Sequence, residues 1–188
     1  LKTTTYGVGQ LIQAAVEYGA RRILLAIGGS ATVDGGVGAA MALGWRFLAE
    51  DGHEIGLGGG ELSRIATIVV PDRAIALGDA KFCVSTGGQS CAIEVLCDVD
   101  NPLCGEHGAA RVYGPQKGAT PEMAETLDAA LGHLAKALEH HLGRDISEVP
   151  GAGAAVVLAA GAIAFMNARL VCGIDAVMAQ TRLHEVVT

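Results

Sequence analysis

Apolar residues at Val8, Leu11, Ile12, Ala15 and Val16 recur at the spacing of one helix face, with Thr3, Thr4 and Thr5 as candidate caps and Gly19 where a C′ residue falls. The pattern then changes. Arg22 to Ile27 is a short apolar run that predicts a buried strand, followed by the glycine-rich segment Ile27 to Gly36. Helical patterning resumes over Gly38 to Glu50, where Met41, Leu43, Trp45, Phe47 and Leu48 supply apolar surface. Asp51-Gly52 reads as a turn and Gly58-Gly59-Gly60 as a flexible loop, and Ile65 to Val70 reads as a strand stopped by Pro71. Ala80 to Ser90 fits neither period, whereas Cys91 to Cys97 fits a strand.

Thr120 and Pro121 open a long helix whose Leu127, Leu131, Leu134, Leu138 and Leu142 form one stripe, closed by Gly143. A last helix of small residues follows Pro150-Gly151-Ala152-Gly153 and runs to about Arg169. Helices and strands alternate irregularly and no internal repeat appears. The expected fold is α/β with some α+β character, a mixed sheet flanked by helices, in a single domain over 1–188.

Composition sharpens this picture. Hydrophobic residues make up 51% of the 188 positions, aromatics only 4%, and there are 27 glycines. The core is therefore built from Ala, Val, Leu and Ile with backbones close together. A net charge of −7 and the lack of any basic run argue against a nucleic-acid surface. The most apolar stretch, Ala152 to Met166, is shorter than the roughly 20 residues needed to cross a bilayer. Cys83, Cys91, Cys97, Cys104 and Cys172 are odd in number and contain no C-x-x-C pair, which suits reduced thiols and a cytoplasmic setting. Zinc held by Cys91, Cys97, Cys104 and His107 is disfavoured by their spacing. The opening at Leu1, directly into a helix start, suggests a piece of a longer chain.

Chemistry concentrates in three segments. Ile-Gly-Gly-Ser-Ala-Thr-Val-Asp-Gly-Gly from Ile27 lies between a strand and a helix, where glycine lets backbone N–H groups approach an anion. Gly28, Gly29 and Gly35 offer peptide N–H groups while Ser30, Thr32 and Asp34 add hydroxyls and one carboxylate, chemistry suited to a phosphorylated or small anionic ligand. The segment is neither a Walker loop nor G-x-G-x-x-G. Cys97-Asp98-Val99-Asp100-Asn101-Pro102-Leu103 puts carboxylates and an amide at a strand end, where α/β proteins gather ligand contacts, although the same residues also suit a plain Asx-Pro turn. Tyr113-Gly114-Pro115-Gln116-Lys117-Gly118 offers Lys117 in a tight turn.

These segments together resemble one family. T-T-x-Y-G-V-G-Q-L-I from Thr3, I-G-G-S-A-T-V-D-G-G, C-D-V-D-N-P-L, G-P-Q-K-G-A-T and P-G-A-G-A-A occur in the order found in bacterial type I glycerate kinases. The resemblance implies ATP- and Mg²⁺-dependent phosphorylation of D-glycerate, giving 2-phosphoglycerate in the best-known branch, by a chain of two α/β domains, one inserted in the other. It covers the middle of such a chain, so this sequence is expected to be the inserted domain and inactive alone. It implies Asp34 and Asp98 as catalytic candidates, with Mg²⁺ on either, and Gly28, Gly29, Ser30, Thr32, Gly35, Asn101 and Lys117 as binding candidates. The partner is a small molecule, glycerate, with no nucleic acid or membrane; the number of subunits is left open. Val33 stands where the family usually has Asn, and Val156, Val157 and Ala159 where it usually has Gly. The competing readings are a non-catalytic domain of the same fold, and an oligomerisation module using the Leu127–Leu142 stripe.

Overall fold

The computed structural model describes residues 1–71, 91–147 and 149–182. Ala80 to Ser90 and Cys83 lie outside the described residues. Helix α1 (Tyr6–Glu17) leads into strand β1 (Arg22–Ala26), and the glycine segment then delivers the chain to α2 (Val37–Ala42). Strands β2 (Arg46–Leu48) and β3 (Thr67–Val69) follow, joined through a 3₁₀ turn at Gly59–Arg64. After β4 (Ala92–Leu96) come α3 (Ala109–Tyr113), a 3₁₀ turn at Pro115–Lys117, α4 (Pro121–Leu142), α5 (Ala154–Met166), β5 (Arg169–Val171) and α6 (Gly173–Thr181).

The fold is α/β. Strands β1, β4 and β5 form a parallel sheet in that spatial order, with Leu24 opposite Glu94 and Leu96 opposite Val171. Strands β2 and β3 pair antiparallel in a separate sheet, where Phe47 faces Ile68, and an antiparallel bridge joins Leu48 to Glu54. Helix α5 packs on β4, α2 and α3.

Several elements follow the sequence pattern closely. The Thr120 side chain accepts the Met123 N–H at 3.2 Å, Pro121 occupies the first turn, and Gly143 closes α4 in a left-handed conformation. The α4 stripe through Leu127, Leu131, Leu134 and Leu138 is buried inside this chain, which removes it as an oligomerisation face.

Others correct it. The helix expected over Gly38 to Glu50 ends at Ala42, because Gly44 turns left-handed at φ 95°. Beyond that turn Trp45 and Phe47 are buried while Arg46 between them is exposed, the period of a strand. Both rings meet Phe165 edge-on, at centroid distances of 5.1 Å for Trp45 and 5.3 Å for Phe47, and so pin β2 to the end of α5. The Gly58–Gly60 loop is ordered: it starts the 3₁₀ turn whose Leu62 is fully buried, and Gly60 N–H donates to the Leu1 carbonyl at 3.1 Å. Helix α5 stops at Met166, capped by left-handed Asn167, and Arg169 belongs to a strand. Leu11 of α1 is exposed, and α1 buries Gly9 and Ile12 instead.

Two contacts hold the glycine segment in place. The first is Asp34. Its carboxylate is 1% exposed and is surrounded by donors from both helices it lies between. Oδ2 accepts from Thr5 N–H at 2.7 Å, Thr4 Oγ1 at 3.2 Å and Gly38 N–H at 3.3 Å. Oδ1 accepts from Gly36 N–H at 3.1 Å, and Thr5 Oγ1 donates to the pair at 3.0–3.1 Å. Removing a carboxylate from water is costly unless each oxygen is matched in this way. The second contact is glycine on glycine. A Cβ on Gly36 would lie 2.7 Å from Gly161 Cα, and one on Gly161 would lie 2.5 Å from both the Gly35 carbonyl oxygen and Gly36 Cα. Backbone meets backbone there, so neither side has a side chain that can yield.

Asp34→Asn places an NH₂ group against backbone N–H donors and is expected to cost about 2–3 kcal/mol, lowering Tm by roughly 4–12 °C in a thermal melt. An unchanged Tm refutes the clamp. Gly161→Ala is expected to cost on the order of 3 kcal/mol or more, since the added methyl meets only backbone. Denaturant titration measures it, and a loss under about 1 kcal/mol refutes the contact.

Candidate functional site

A cleft of about 320 Å³ opens where the parallel strands β1 and β4 end. Its floor is Ile27, Gly28, Gly29 and Ser30 from one strand end and Leu96 to Val99 from the next. Its far wall is Tyr113, Gln116 and Lys117, with Ala154 of α5 at the side. Carboxyl ends of neighbouring parallel strands are the usual place for a ligand in an open α/β sheet.

The glycines here differ from those that pack the interior. A Cβ on Gly28 or Gly29 would meet no atom within 4 Å, so the protein's own packing does not demand their bareness. Gly29 needs its φ of 73°, and both leave peptide edges open to a ligand. Ser30 lies beside them, its Oγ accepting from Thr32 N–H at 3.4 Å.

Lys117 is fixed by a tight turn in which Lys117 N–H donates to the Gly114 carbonyl at 2.9 Å and Gly118 N–H to the Pro115 carbonyl at 3.1 Å. The left-handed Gly118 ends that turn. Partial burial pushes the Lys117 ammonium below its ordinary pKa, because desolvation disfavours the charged form. The side chain also lines an adjoining cavity of about 120 Å³ with Ala31, Val33 and Met123. The lysine thus stands between two hollows, and Val33 belongs to the smaller one.

Asp98 leaves the end of β4 at the cleft. Its Oδ1 accepts Gly173 N–H at 2.8 Å and the Cys172 thiol at 3.6 Å. Asn101 is not a cleft-lining residue. Its Nδ2 donates to the His107 carbonyl at 3.1 Å and its Oδ1 accepts the Tyr113 hydroxyl, so it ties the 98–107 loop to the wall.

The structure therefore gathers Gly28, Gly29, Ser30, Asp98 and Lys117 in one place. It does not bring Asp34, Thr32, Gly35 or Asn101 there. Asp34 is turned inward between α1 and α2, and Gly35 lies beneath Leu134, whose side chain a Cβ would strike. Tyr113 and Gln116 line the cleft without having been singled out from the sequence, as does Cys97, which was weighed only as a zinc ligand. Their signal was adjacency: two flank the Lys117 turn and one precedes Asp98.

A larger groove of about 760 Å³ runs beside the second half of α4, lined by Arg64, His133, Lys136 and His140 among others. Its His133 and His141 Nε2 atoms are bonded to the carbonyls of Ile65 and Ala66, at 2.6 and 2.9 Å, and serve to hold β3 to α4. Size alone does not outweigh the strand-end position, the open peptide edges and the lysine and carboxylate that both line the smaller cleft.

No group of three or more His, Cys, Asp or Glu side chains able to hold a metal occurs among the described residues. Mg²⁺ bound with a nucleotide generally takes one or two carboxylates, with water and phosphate oxygens completing its shell. Asp98 fits that requirement in the cleft; Asp34 does not, since both of its oxygens are spent on protein donors. No described helix is long and apolar enough to cross a membrane.

Comparison with known proteins gives a consistent result. The model of the glycerate kinase family matches residues 1–188. A glycerate kinase of Halalkalibacterium halodurans is 48% identical over 187 residues, covering 100% of this chain and 46% of that protein. The glycerate 2-kinase of Escherichia coli K12 is 43% identical, covering 98% and 46% respectively. A crystal structure of a protein described as glycerate kinase 2 from Salmonella typhimurium LT2 superposes with a TM-score of 0.83 at 43% identity, over 95% of this chain and 45% of that one. The chain thus spans a little under half the length of the relatives it matches. The ordered motifs, the strand-end cleft and the whole-chain match lead to one conclusion: this chain belongs to the glycerate kinase family.

Proposed function

We propose that this chain is the inserted domain of a longer two-domain, cytoplasmic enzyme that transfers the γ-phosphoryl group of ATP to a hydroxyl of D-glycerate, giving 2-phosphoglycerate. The observation that carries the reading is the meeting of Gly28, Gly29, Ser30, Asp98 and Lys117 in one cleft at the ends of β1 and β4. Family membership supplies the reaction class.

Each group has work suited to its chemistry. The open peptide edges of Gly28 and Gly29 suit a carboxylate or phosphate oxygen, which backbone N–H groups bind without adding net charge. Lys117 offsets phosphate charge from the facing wall, and its partial desolvation strengthens that attraction. Asp98 accepts the proton of the attacking hydroxyl as the new P–O bond forms and ADP departs, or serves as the single protein carboxylate on Mg²⁺. Bound Mg²⁺ would neutralise the nucleotide phosphates. Tyr113 and Gln116 shape the wall against which the three-carbon acid lies. We assign Asp34 to the clamp between α1 and α2 and not to the chemistry. Val33 faces the adjoining hollow, so its replacement of Asn leaves the floor of the cleft unchanged.

A cleft built from one domain is open to solvent, and phosphoryl transfer needs water excluded. A coupled ATP assay with D-glycerate is expected to show turnover for the protein at its full natural length and none above background for residues 1–188 alone. Absence of turnover at full length refutes the reaction, and equal rates refute the need for a second domain.

The lowered pKa of Lys117 gives a pH signature. A depressed pKa means the ammonium is lost at lower pH than the ordinary value of about 10.5, so binding is full only well below that value and weakens as pH rises toward it. KM for ATP is expected to climb on the alkaline side in the parent, and to stay flat there in Lys117→Arg, whose guanidinium does not titrate in that range. Parallel profiles for the two proteins refute the role of Lys117.

A further inference from the structure

We propose that Gly173 is a positioning residue for the reaction: its missing side chain lets the Asp98 carboxylate seat on the first turn of α6, where it is aimed at the cleft. The inference rests on the reading of Asp98 as a cleft residue of the kinase, and it brings β5 and α6, which do not line the cleft, into the active-site apparatus.

The strand register makes the contact possible. Leu96 of β4 lies opposite Val171 of β5, and the ladder extends one step further as Cys97 N–H donates to the Val171 carbonyl at 2.9 Å. Asp98 and Gly173 therefore emerge side by side from adjacent parallel strands. Gly173 N–H and the Cys172 thiol then converge on Asp98 Oδ1, at 2.8 and 3.6 Å. At the N-terminus of a nine-residue helix this oxygen also meets the positive end of the helix dipole.

The glycine is what the geometry requires. A Cβ at 173 would stand 2.7 Å from Asp98 Oδ2 and 3.3 Å from Oδ1. No backbone atom stands in its way at those distances, and Gly173 is not among the residues with positive φ. Alanine is thus compatible with the fold, and what it displaces is the end of an exposed aspartate side chain that is free to swing. Helix α6 does not need Asp98 as its acidic cap, since Asp175 lies in the same first turn. Gly173 therefore constrains where one carboxylate sits, not whether the chain folds.

The test is a double-mutant cycle in the protein at its full natural length, with Gly173→Ala, Asp98→Asn and both together, read by steady-state kinetics and by thermal melts. Gly173→Ala is expected to lower kcat by roughly 10- to 100-fold, as a carboxylate moved by about 1 Å would, with KM for glycerate within about threefold and Tm lowered by no more than the about 1–4 °C that the bond to α6 contributes. Adding it to Asp98→Asn is expected to cause no further loss of kcat. Asp98→Asn is expected to lower Tm by about 1–4 °C through its bond to α6, and to have no such effect once residue 173 is alanine. Gly173→Ser, whose Cβ meets the same atoms, repeats each arm should the alanine protein fold poorly. A kcat for Gly173→Ala within twofold of the parent, or losses that multiply in the double variant, overturns the proposal. If the Tm coupling is present while Asp98→Asn leaves kcat intact, the contact is real but has no catalytic group to position, and the proposal falls with the reading of Asp98. If full-length protein shows no kinase turnover while the Tm coupling persists, the reaction assignment fails separately.

Discussion

The buried carboxylate of Asp34 is the constraint on which the rest of this structure depends. An anion enclosed in protein must be matched on both oxygens, and here the matching groups come from the start of α1 and from the turn into α2. Two segments separated by some thirty residues are thereby locked together at a single side chain. Thr5 does double duty: its hydroxyl donates to Asp34 and accepts the Ala39 N–H at 2.9 Å, extending the lock one turn into α2. Gly38 must be bare for the same reason, since a Cβ there would strike Thr4 Oγ1 and come within 2.7 Å of Asp34 Oδ2. With its second half fixed inward, the glycine segment has its first half, Gly28 to Ser30, left facing the cleft. One ten-residue stretch thus serves architecture at one end and ligand access at the other.

The chain carries a net charge of −7, yet the proposed ligand of its cleft is an anion. The two facts are compatible because recognition at short range depends on local dipoles and one partly desolvated ammonium, not on the summed charge. Lys117 and Asp98 both line the cleft, an ammonium and a carboxylate that we propose act on phosphate and on a proton or cation respectively. Neither would be informative alone, since exposed lysines and loop aspartates are common. Their convergence with open glycine peptides at two strand ends is what gives them meaning.

Much of this was legible in the sequence, for identifiable reasons. Helix α4 announced itself through Thr120, Pro121 and Gly143 because caps and hydrophobic period are local properties. The position of strand β1 was equally clear, but it is not the buried strand expected: it lies at the edge of the sheet, exposed at Arg22 and Ala26 and half-buried between them. What the sequence hid was the result of tertiary packing. Trp45 and Phe47 sit in a helical-looking run, but Gly44 and the pull of Phe165 turn them into a strand. Strand β5 is three residues long and becomes a strand only by pairing with β4. The direction of Asp34 was not legible, because a glycine-rich turn with a carboxylate reads the same whether the carboxylate points out or in. Only the donors supplied by Thr4 and Thr5, far away in the chain, decide its direction. The family resemblance, by contrast, was visible at once, since it rests on ordered motifs and not on how they pack.

Helix α5 carries a further consequence. The middle of its buried face is Ala159, Ala160 and Ala162, with Gly161 against the Gly35–Gly36 peptide, so ordering that stretch costs almost no side-chain entropy. A surface of this kind has no rotamers with which to adjust. It cannot be trimmed, because nothing is smaller than glycine, and it cannot be enlarged at its centre, because the obstacle is main chain. Tolerance for change is therefore displaced toward its first turn. There Val157, fully buried, holds a φ of 82°, a conformation that a β-branched residue adopts only at a cost of about 1–3 kcal/mol. The helix thus keeps a glycine's backbone under a valine's side chain, so its stiffness in the middle is matched by stored strain at its mouth, beside Ala154 and the cleft.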